Sequence, residues 1–265
     1  MLSNDQTKSY LRRIGFEGDV KPDRDTLSTL VLKHQMSVPF ETVVLNRTSK
    51  TPSLDLDDLY EKIVVGNGGG YCFELNKIFQ ELLSSLGFDV RPAISRAVRV
   101  REDRMPINHR GIIVNIDGDD FFVDVGFGGP MPAGALLIKE GEEQHIYGET
   151  YSAEPAGDSW WKIDRVTRAE LDLHDDNVPS RKQTELELCT SAVEEQDFDS
   201  LNTFFSMPGT LFHDHALANL RTPNGYLALR DSVLTIRDNG EKTVIELNDE
   251  QEINEALKTH FGMDL

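Results

Sequence analysis

Hydrophobic positions in the first 87 residues recur mostly at helical spacing. Within residues 25–35, Leu27, Leu30 and Val31 fall on one face of a helix. Ser53 is placed to cap a second helix, whose apolar residues are Leu56, Leu59, Tyr60 and Ile63. This part of the chain is therefore predicted to be mostly helical.

The clearest helical stripe follows a run of glycines at positions 66, 68, 69 and 70. Its apolar residues recur three and four positions apart: Leu75, Ile78, Phe79, Leu82, Leu83 and Leu86. Gly87 is a typical stop signal just past the end of such a helix. The pattern predicts a buried helix whose first turn contains Cys72.

Beyond Phe88 the pattern becomes that of strands. Residues 93–100 contain several β-formers, and residues 111–116 and 121–125 flank Asp117-Gly118, a strong hairpin signal. Further strands are predicted within loops over 126–158, near 160–163, and at 185–189.

From about residue 190 the chain forms a mixed unit. It combines an aromatic segment over 198–212, strands near 226–229, 233–236 and 243–247, and a closing helix from about 248. Helices followed by strands and then a mixed unit indicate the α+β class. We expect three domains: a helical one over 1–87, a β one over 88–190 and an α/β one over 191–265.

Composition narrows the functional classes. The 265 residues include 46 acidic and 27 basic ones, a formal net charge of −19, which argues against nucleic acid as a partner. No apolar run approaches the length of a membrane span, and the first residues do not resemble a signal peptide. With only two cysteines, far apart in sequence, we expect a cytoplasmic protein without disulfides.

Cys72 is the first candidate for chemistry. Unpaired N–H groups and the helix dipole stabilise negative charge at a helix N-terminus, and thiols placed there ionise more readily. The same N–H groups can bind a developing oxyanion, and neighbouring glycines let a substrate approach the backbone. The alternative is that Cys72 is a small buried hydrophobe at the start of a core helix. We interpret the other cysteine, Cys189, as structural.

His109 and Asp124 are the candidates for a base and the group that orients it. If Asp117-Gly118 forms the hairpin turn, Asp124 lies diagonally across from His109, within reach of its side chain. A carboxylate within such an apolar strand is costly unless it is paired. The alternative is a purely structural pair, and local pattern alone does not place Cys72 beside His109.

These residues carry a resemblance to a known family. The segments Gly69-Gly70-Tyr71-Cys72-Phe73-Glu74-Leu75-Asn76, Asn108-His109 and Val123-Asp124-Val125-Gly126-Phe127-Gly128 resemble the signature segments of the arylamine N-acetyltransferases. The order Cys, His, Asp and the spacing match that family's triad. Residues 10–15, 38–41 and 202–212 resemble further segments of it.

The resemblance implies a fold and a reaction. The fold would be an N-terminal helical bundle, a central antiparallel β-barrel and a C-terminal α/β lid around a triad like that of cysteine proteinases. Cys72, His109 and Asp124 would catalyse ping-pong transfer from acetyl-CoA, through acetyl-Cys72, to an aromatic amine or hydrazine. No metal is implied, and His213-Asp214-His215 has no further Cys or His at metal spacing nearby.

The resemblance also implies the residues that bind substrates. Phe40, Phe127 and one of Phe204 and Phe205 would line an apolar cleft for the aromatic acceptor. Gly126, Gly128 and Gly129 would let coenzyme A pass close to the backbone. The phosphates of coenzyme A are expected to meet part of a basic cluster formed by Arg91, Arg96, Arg99, Arg101, Arg104 and Arg110.

One position departs from the family pattern. The family usually has an arginine four residues before the cysteine, where this chain has Gly68. Glu41, an acid with which such an arginine could pair, is therefore expected to need another partner. Two other functions stay open from the sequence: a cysteine hydrolase that uses the same triad, and a binding protein that keeps the fold without turnover.

Overall fold

The computed structural model describes residues 1–98, 105–167 and 181–264. The helices are α1 Asn4–Arg13, α2 Arg24–Ser37, α3 Val43–Thr48, α4 Leu56–Tyr60, α5 Cys72–Ser85, α6 Asp197–Phe205, α7 Leu211–Asp214 and α8 Glu250–Phe261, with a π-helical turn at Glu61–Val65. The strands are β1 Phe40–Glu41, β2 Asp89–Ala97, β3 His109–Ile116, β4 Asp119–Val123, β5 Leu136–Leu137, β6 Gln144–Ile146, β7 Glu149–Pro155, β8 Trp160–Thr167, β9 Arg181–Cys189, β10 Leu217–Thr222, β11 Gly225–Arg230, β12 Val233–Asp238 and β13 Glu241–Glu246.

Helix α5 is the central helix of the N-terminal region. Its predicted stripe is fully buried except for Leu86, which follows the helix and is partly buried. The main core also takes residues from α1, α2 and the hairpin β3–β4. Gly87, which follows the helix, has a φ of +88°, a conformation that favours glycine, so the predicted stop is confirmed.

The predicted cap at Ser53 is wrong. The residue that caps α4 is Asp55, two positions later, whose carboxylate accepts a hydrogen bond from the Asp57 N–H (2.9 Å). Ser53 instead supports this cap, with its hydroxyl accepting from the Asp55 N–H (3.1 Å). A carboxylate is as good a cap as a hydroxyl, so composition alone did not separate the two.

Eight strands form a nearly closed antiparallel barrel, in the order β5-β4-β3-β2-β9-β8-β7-β6. The predicted hairpin is confirmed, with Ile116 opposite Asp119 across the Asp117-Gly118 turn. The two ends of the sheet meet where the Gln144 side chain on β6 both accepts from and donates to the backbone of Leu137 on β5 (2.9 Å each). A side-chain amide thus supplies the pairing that closes the barrel.

A second sheet of five strands has the order β1-β10-β11-β12-β13, and α8 covers one of its faces. Its first strand comes from the N-terminal region, with Phe40 opposite Asn219. The α+β class and the central barrel are confirmed. The division into domains at residues 87 and 190 stays a prediction, and the pairing of β1 with β10 joins the first of these regions to the last. In the described part of the chain, no helix is long and apolar enough to cross a membrane.

Candidate active site

Cys72 is the first residue of α5 and is only 2% exposed. Tyr71 before it is extended (φ −102°, ψ −174°), so the chain turns into the helix at the thiol. The Glu74 carboxylate accepts a hydrogen bond from the Tyr71 N–H (3.0 Å), which satisfies one of the free donors at the helix start. The sulfur thus lies beside the N-terminal amides of a helix that the core holds rigidly.

Two glycines allow other segments to pack closely against the chain around Cys72. A Cβ on Gly69 would overlap the carbonyl oxygen of Pro39. A Cβ on Gly126 would lie 2.9 Å from the Cα of Cys72. Gly126 therefore lets the loop after β4 pass directly against the start of α5, a role that the local pattern did not indicate.

His109 and Asp124 come together as the hairpin register suggests. His109 is the first residue of β3, Asp124 follows the last residue of β4, and His109 Nε2 lies 2.6 Å from Asp124 Oδ2. Both side chains are almost completely buried. A carboxylate so deeply buried is held there by hydrogen bonds and by the positive form of its partner.

The charge of His109 follows from its neighbours. Burial by itself lowers the pKa of His109, but the negative charges of Asp124 and Cys72, and hydrogen bonds to both, together raise that pKa to about 10. The imidazole is therefore positively charged at neutral pH. The structure brings Cys72, His109 and Asp124 together, in an arrangement that can hold a thiolate–imidazolium pair.

Asn76 is a residue of this site that the sequence reasoning did not single out. It lies one helical turn after Cys72 on α5, and its amide donates to Asp124 Oδ1 (2.9 Å) and to the Arg110 carbonyl (2.5 Å). Its oxygen accepts from the Val125 N–H (2.9 Å). Asn76 thus ties the helix of the thiol to the strands of the acid, and the spacing of four residues from Cys72 was the available signal.

Three arginines of the expected basic cluster lie in the described residues, and each has a partner within the chain. Arg110 is fully buried, donates to Glu195 and Gln80, and lies over the Phe198 ring. Arg91 pairs with Asp120. Arg96 pairs with Glu187 and stacks on Trp160. For Arg110 the expectation is wrong, because its buried guanidinium cannot meet a phosphate. For the partly exposed Arg91 and Arg96 it stays a prediction, and Arg99, Arg101 and Arg104 lie outside the described residues.

A cavity of about 870 Å³ opens between the barrel and the five-stranded sheet and reaches Asp124. Its walls include Phe40, Phe127, Gly128 and Gly129. The Phe127 ring also meets the His109 ring edge-on at 5.3 Å, which connects the cavity to the triad.

Three other expected substrate contacts lie elsewhere. Gly126, Phe204 and Phe205 are not among the described residues that line this cavity. Phe204 is 55% exposed, whereas Phe205 packs against Phe73 and Phe212. Whether these three residues contact a substrate stays a prediction.

The remaining histidine motif binds acids of its own chain. His213 Nδ1 lies 2.8 Å from Asp214 and His215 Nδ1 lies 2.8 Å from Asp231. Across residues 1–98, 105–167 and 181–264, no group of three or more His, Cys, Asp and Glu side chains could hold a metal ion.

The chain is similar in sequence to known N-acetyltransferases. A family model described as N-acetyltransferase matches residues 23–265. The arylamine N-acetyltransferase of Mycolicibacterium smegmatis is 28% identical over 261 residues, which cover 97% of this chain and 91% of the relative.

Solved structures agree with the sequence comparisons. The arylamine N-acetyltransferase from Salmonella typhimurium shares the fold, with a TM-score of 0.88 at 24% identity over 100% of this chain and 93% of that one. The Mycobacterium marinum arylamine N-acetyltransferase in complex with CoA gives a TM-score of 0.86 at 26% identity, over 97% and 93%.

Proposed function

The chain belongs to the arylamine N-acetyltransferase family and is an acyltransferase of that type, and from this premise we propose that it acetylates aromatic amines or hydrazines with acetyl-CoA through Cys72. One observation carries the proposal. A thiol at a helix N-terminus makes a hydrogen bond with a buried histidine, which a buried carboxylate holds in its positive form.

In the first half-reaction, the Cys72 thiolate attacks the carbonyl carbon of the acetyl-CoA thioester. The new bond joins Cys72 Sγ to the acetyl carbon, and the bond from that carbon to the coenzyme A sulfur breaks. His109 gives its proton to the departing sulfur. Backbone N–H groups at the start of α5 stabilise the oxyanion that forms in between.

In the second half-reaction, the nitrogen of the amine attacks the acetyl-thioester. A C–N bond forms, the bond to Cys72 Sγ breaks, and His109 takes the proton that the nitrogen loses. The Cys72 thiolate and the His109 imidazolium are thereby restored. Asp124 orients the imidazole throughout and stabilises its positive form.

The cavity suggests where the two substrates bind. Phe40 and Phe127 offer ring faces and edges to an aromatic acceptor, and Phe127 is in contact with His109. Gly128 and Gly129, which line the cavity, offer backbone to coenzyme A, whereas Gly126 is buried against the start of α5. Of Phe204 and Phe205, the latter is the better candidate for this cleft because its ring contacts Phe212, which in turn contacts Phe40.

The test is intact mass spectrometry after mixing the protein with acetyl-CoA. The wild type should gain the mass of one acetyl group, and Cys72→Ala should gain none. Cys189→Ala is the matched control, because it removes the other buried cysteine and should leave the gain unchanged. Adding an aniline should then remove the label and release the acetanilide. A wild type that gains no acetyl group would refute the proposal.

The same experiment separates the hydrolase alternative. A hydrolase would lose the acetyl label to water at the same rate with or without the amine. We expect the label to persist for many turnover times until the aniline or phenylhydrazine is added.

A further inference from the structure

A buried ion-pair cluster lies beside the reactive thiol and is formed by Lys62, Glu41 and Glu74. The Lys62 ammonium is 2.9 Å from Glu41 Oε1 and 2.8 Å from Glu74 Oε1. The two carboxylates are only 1% and 2% exposed. One cation thus neutralises two acids that would otherwise be buried without compensation.

Each of the two carboxylates also holds the start of a helix. Glu74 accepts a hydrogen bond from the N–H of Tyr71, the residue before Cys72 (3.0 Å). Glu41 accepts from the Val44 N–H (3.0 Å) at the start of α3. The ammonium therefore connects the two helix starts, and one of them carries the nucleophile.

The backbone around Glu41 is joined to the glycine run as well. The Glu41 N–H donates to the Gly70 carbonyl (2.8 Å), and the Gly70 N–H donates to the Pro39 carbonyl (3.3 Å). The segment 39–41 thus holds Gly70, two residues before Cys72, through both of its backbone hydrogen-bonding groups. Charge repulsion between Glu41 and Glu74 would disturb this joint directly.

Gly68 leaves the space that Lys62 occupies. A Cβ on Gly68 would lie 2.7 Å from the Lys62 carbonyl oxygen and 3.5 Å from its Cγ. The same Lys62 carbonyl oxygen, in the π-helical turn, accepts a hydrogen bond from the Gly68 N–H (2.9 Å). The cation expected at position 68 is thus supplied from six residues earlier in the chain.

We propose that Lys62 is a positioning residue for the reaction: its ammonium neutralises Glu41 and Glu74 and so keeps the Cys72 end of α5 in its reactive place and charge environment. Without it, two negative charges remain uncompensated in the segments that hold the start of α5, Glu74 on the Tyr71 N–H and Glu41 joined to Gly70, where the Cys72 thiol must itself become negative. The cluster is a set of ordinary Coulomb interactions at short range in a poorly solvated site. This inference rests on the proposed function only in taking Cys72 as the reactive thiol.

The test is the rate of Cys72 alkylation by iodoacetamide as a function of pH, followed by mass spectrometry of the peptide that contains Cys72. For Lys62→Met we expect the rate at pH 7 to fall roughly tenfold or more and its midpoint to move to higher pH, since an opposite charge is lost and like charges remain. Lys62→Arg should stay within about threefold of the wild type, because a guanidinium bridges two carboxylates well. Lys139→Met, which breaks a surface pair with Glu142, is the matched control and should have no effect.

A triple variant covers the case in which Lys62→Met does not fold. Lys62→Met combined with Glu41→Gln and Glu74→Gln removes all three charges, so it should fold and regain most of the wild-type alkylation rate. Wild-type behaviour of Lys62→Met would overturn the proposal, and so would a triple variant that is unfolded or as slow as Lys62→Met. Alkylation needs neither acetyl-CoA nor an amine, so failure of acetyl transfer in the wild type would refute the proposed function without affecting this test.

Discussion

Two deeply buried histidines, in different regions of the molecule, have opposite charge preferences. His34 lies in the helical core, where its Nε2 is 2.9 Å from the Tyr10 hydroxyl and its ring meets Phe79 edge-on. Burial and the positive charge of Arg13 lower the pKa of His34 to about 3. His109 lies on the barrel strand β3, next to the start of α5, where Asp124 and Cys72 raise its pKa to about 10 in spite of burial.

The difference shows that burial alone does not determine whether a histidine is charged. Both rings have lost nearly all contact with water, yet one is neutral and the other positive at pH 7. A hydroxyl partner does not repay the cost of burying a charge, whereas a carboxylate at hydrogen-bond distance does. A neutral histidine stabilises a core, while a paired one is prepared for proton transfer.

The largest expected effect comes from making the surroundings of His109 more like those of His34. In Asp124→Asn the negative partner is lost, so the pKa of His109 should fall well below 10 and kcat for acetyl transfer should fall on the order of 10⁴-fold, as in other triads. Steady-state kinetics and NMR titration of the ring measure the two effects. Asp120→Asn on β4, the strand that precedes Asp124, is the control, because its side chain has only partly buried partners, Arg91 and Asn115. A variant with normal kcat would show that the carboxylate is structural.

The same variant should change the pH dependence of stability. The wild type holds a proton on His109 between about pH 6.5 and 10 that the unfolded chain has lost, so its stability should fall as the pH rises through that range. Asp124→Asn should flatten this alkaline decline, as measured by urea unfolding at pH 7 and 9. An equally steep decline in the variant would contradict the assignment to His109.

An intermediate effect is expected at Asn76, which joins the two halves of the site. Asn76→Ala leaves buried partners of the amide unsatisfied, which costs about 1–3 kcal/mol each and predicts a kcat loss of roughly ten- to a hundredfold with a lower Tm. Asn115→Ala on β3 is the control, because its amide bonds only partly exposed groups near the hairpin turn. Equal kcat in Asn76→Ala and the wild type would mean that Asp124 is held well enough by the Gly126 N–H (2.8 Å).

The smallest effect is expected at His34. His34→Gln should lower stability at pH 7 by about 1 kcal/mol through the altered bond to Tyr10 and leave acetyl transfer nearly unchanged. Because the unfolded chain binds a proton at His34 between about pH 6.5 and 3 and the folded chain does not, wild-type stability should fall on acidification. His34→Gln should weaken this acid decline in urea unfolding at pH 5 and 7, and His260→Gln on α8 should not. A large loss of activity in His34→Gln would contradict the separation of the two regions.

Local patterns in the sequence determined the elements that carry the site. The apolar stripe from Leu75 to Leu86 and the stop at Gly87 specified α5, since helical periodicity is a property of neighbouring residues. The Asp117-Gly118 turn fixed the strand register, which left His109 and Asp124 within reach of each other. The motifs around Cys72 then indicated the family through a resemblance rather than through physics.

Tertiary structure decided how these elements meet. The contact of Cys72 with His109, the packing of Gly126 on the thiol's backbone and the closure of the barrel by Gln144 join segments that no local pattern relates. The partners of charged residues were equally inaccessible: Arg110 belongs to Glu195 rather than to a phosphate site, and Glu41 is neutralised by Lys62. A charge pairs with whatever the fold brings within a few ångströms, and that distance is set by the packing of the whole core rather than by position along the chain.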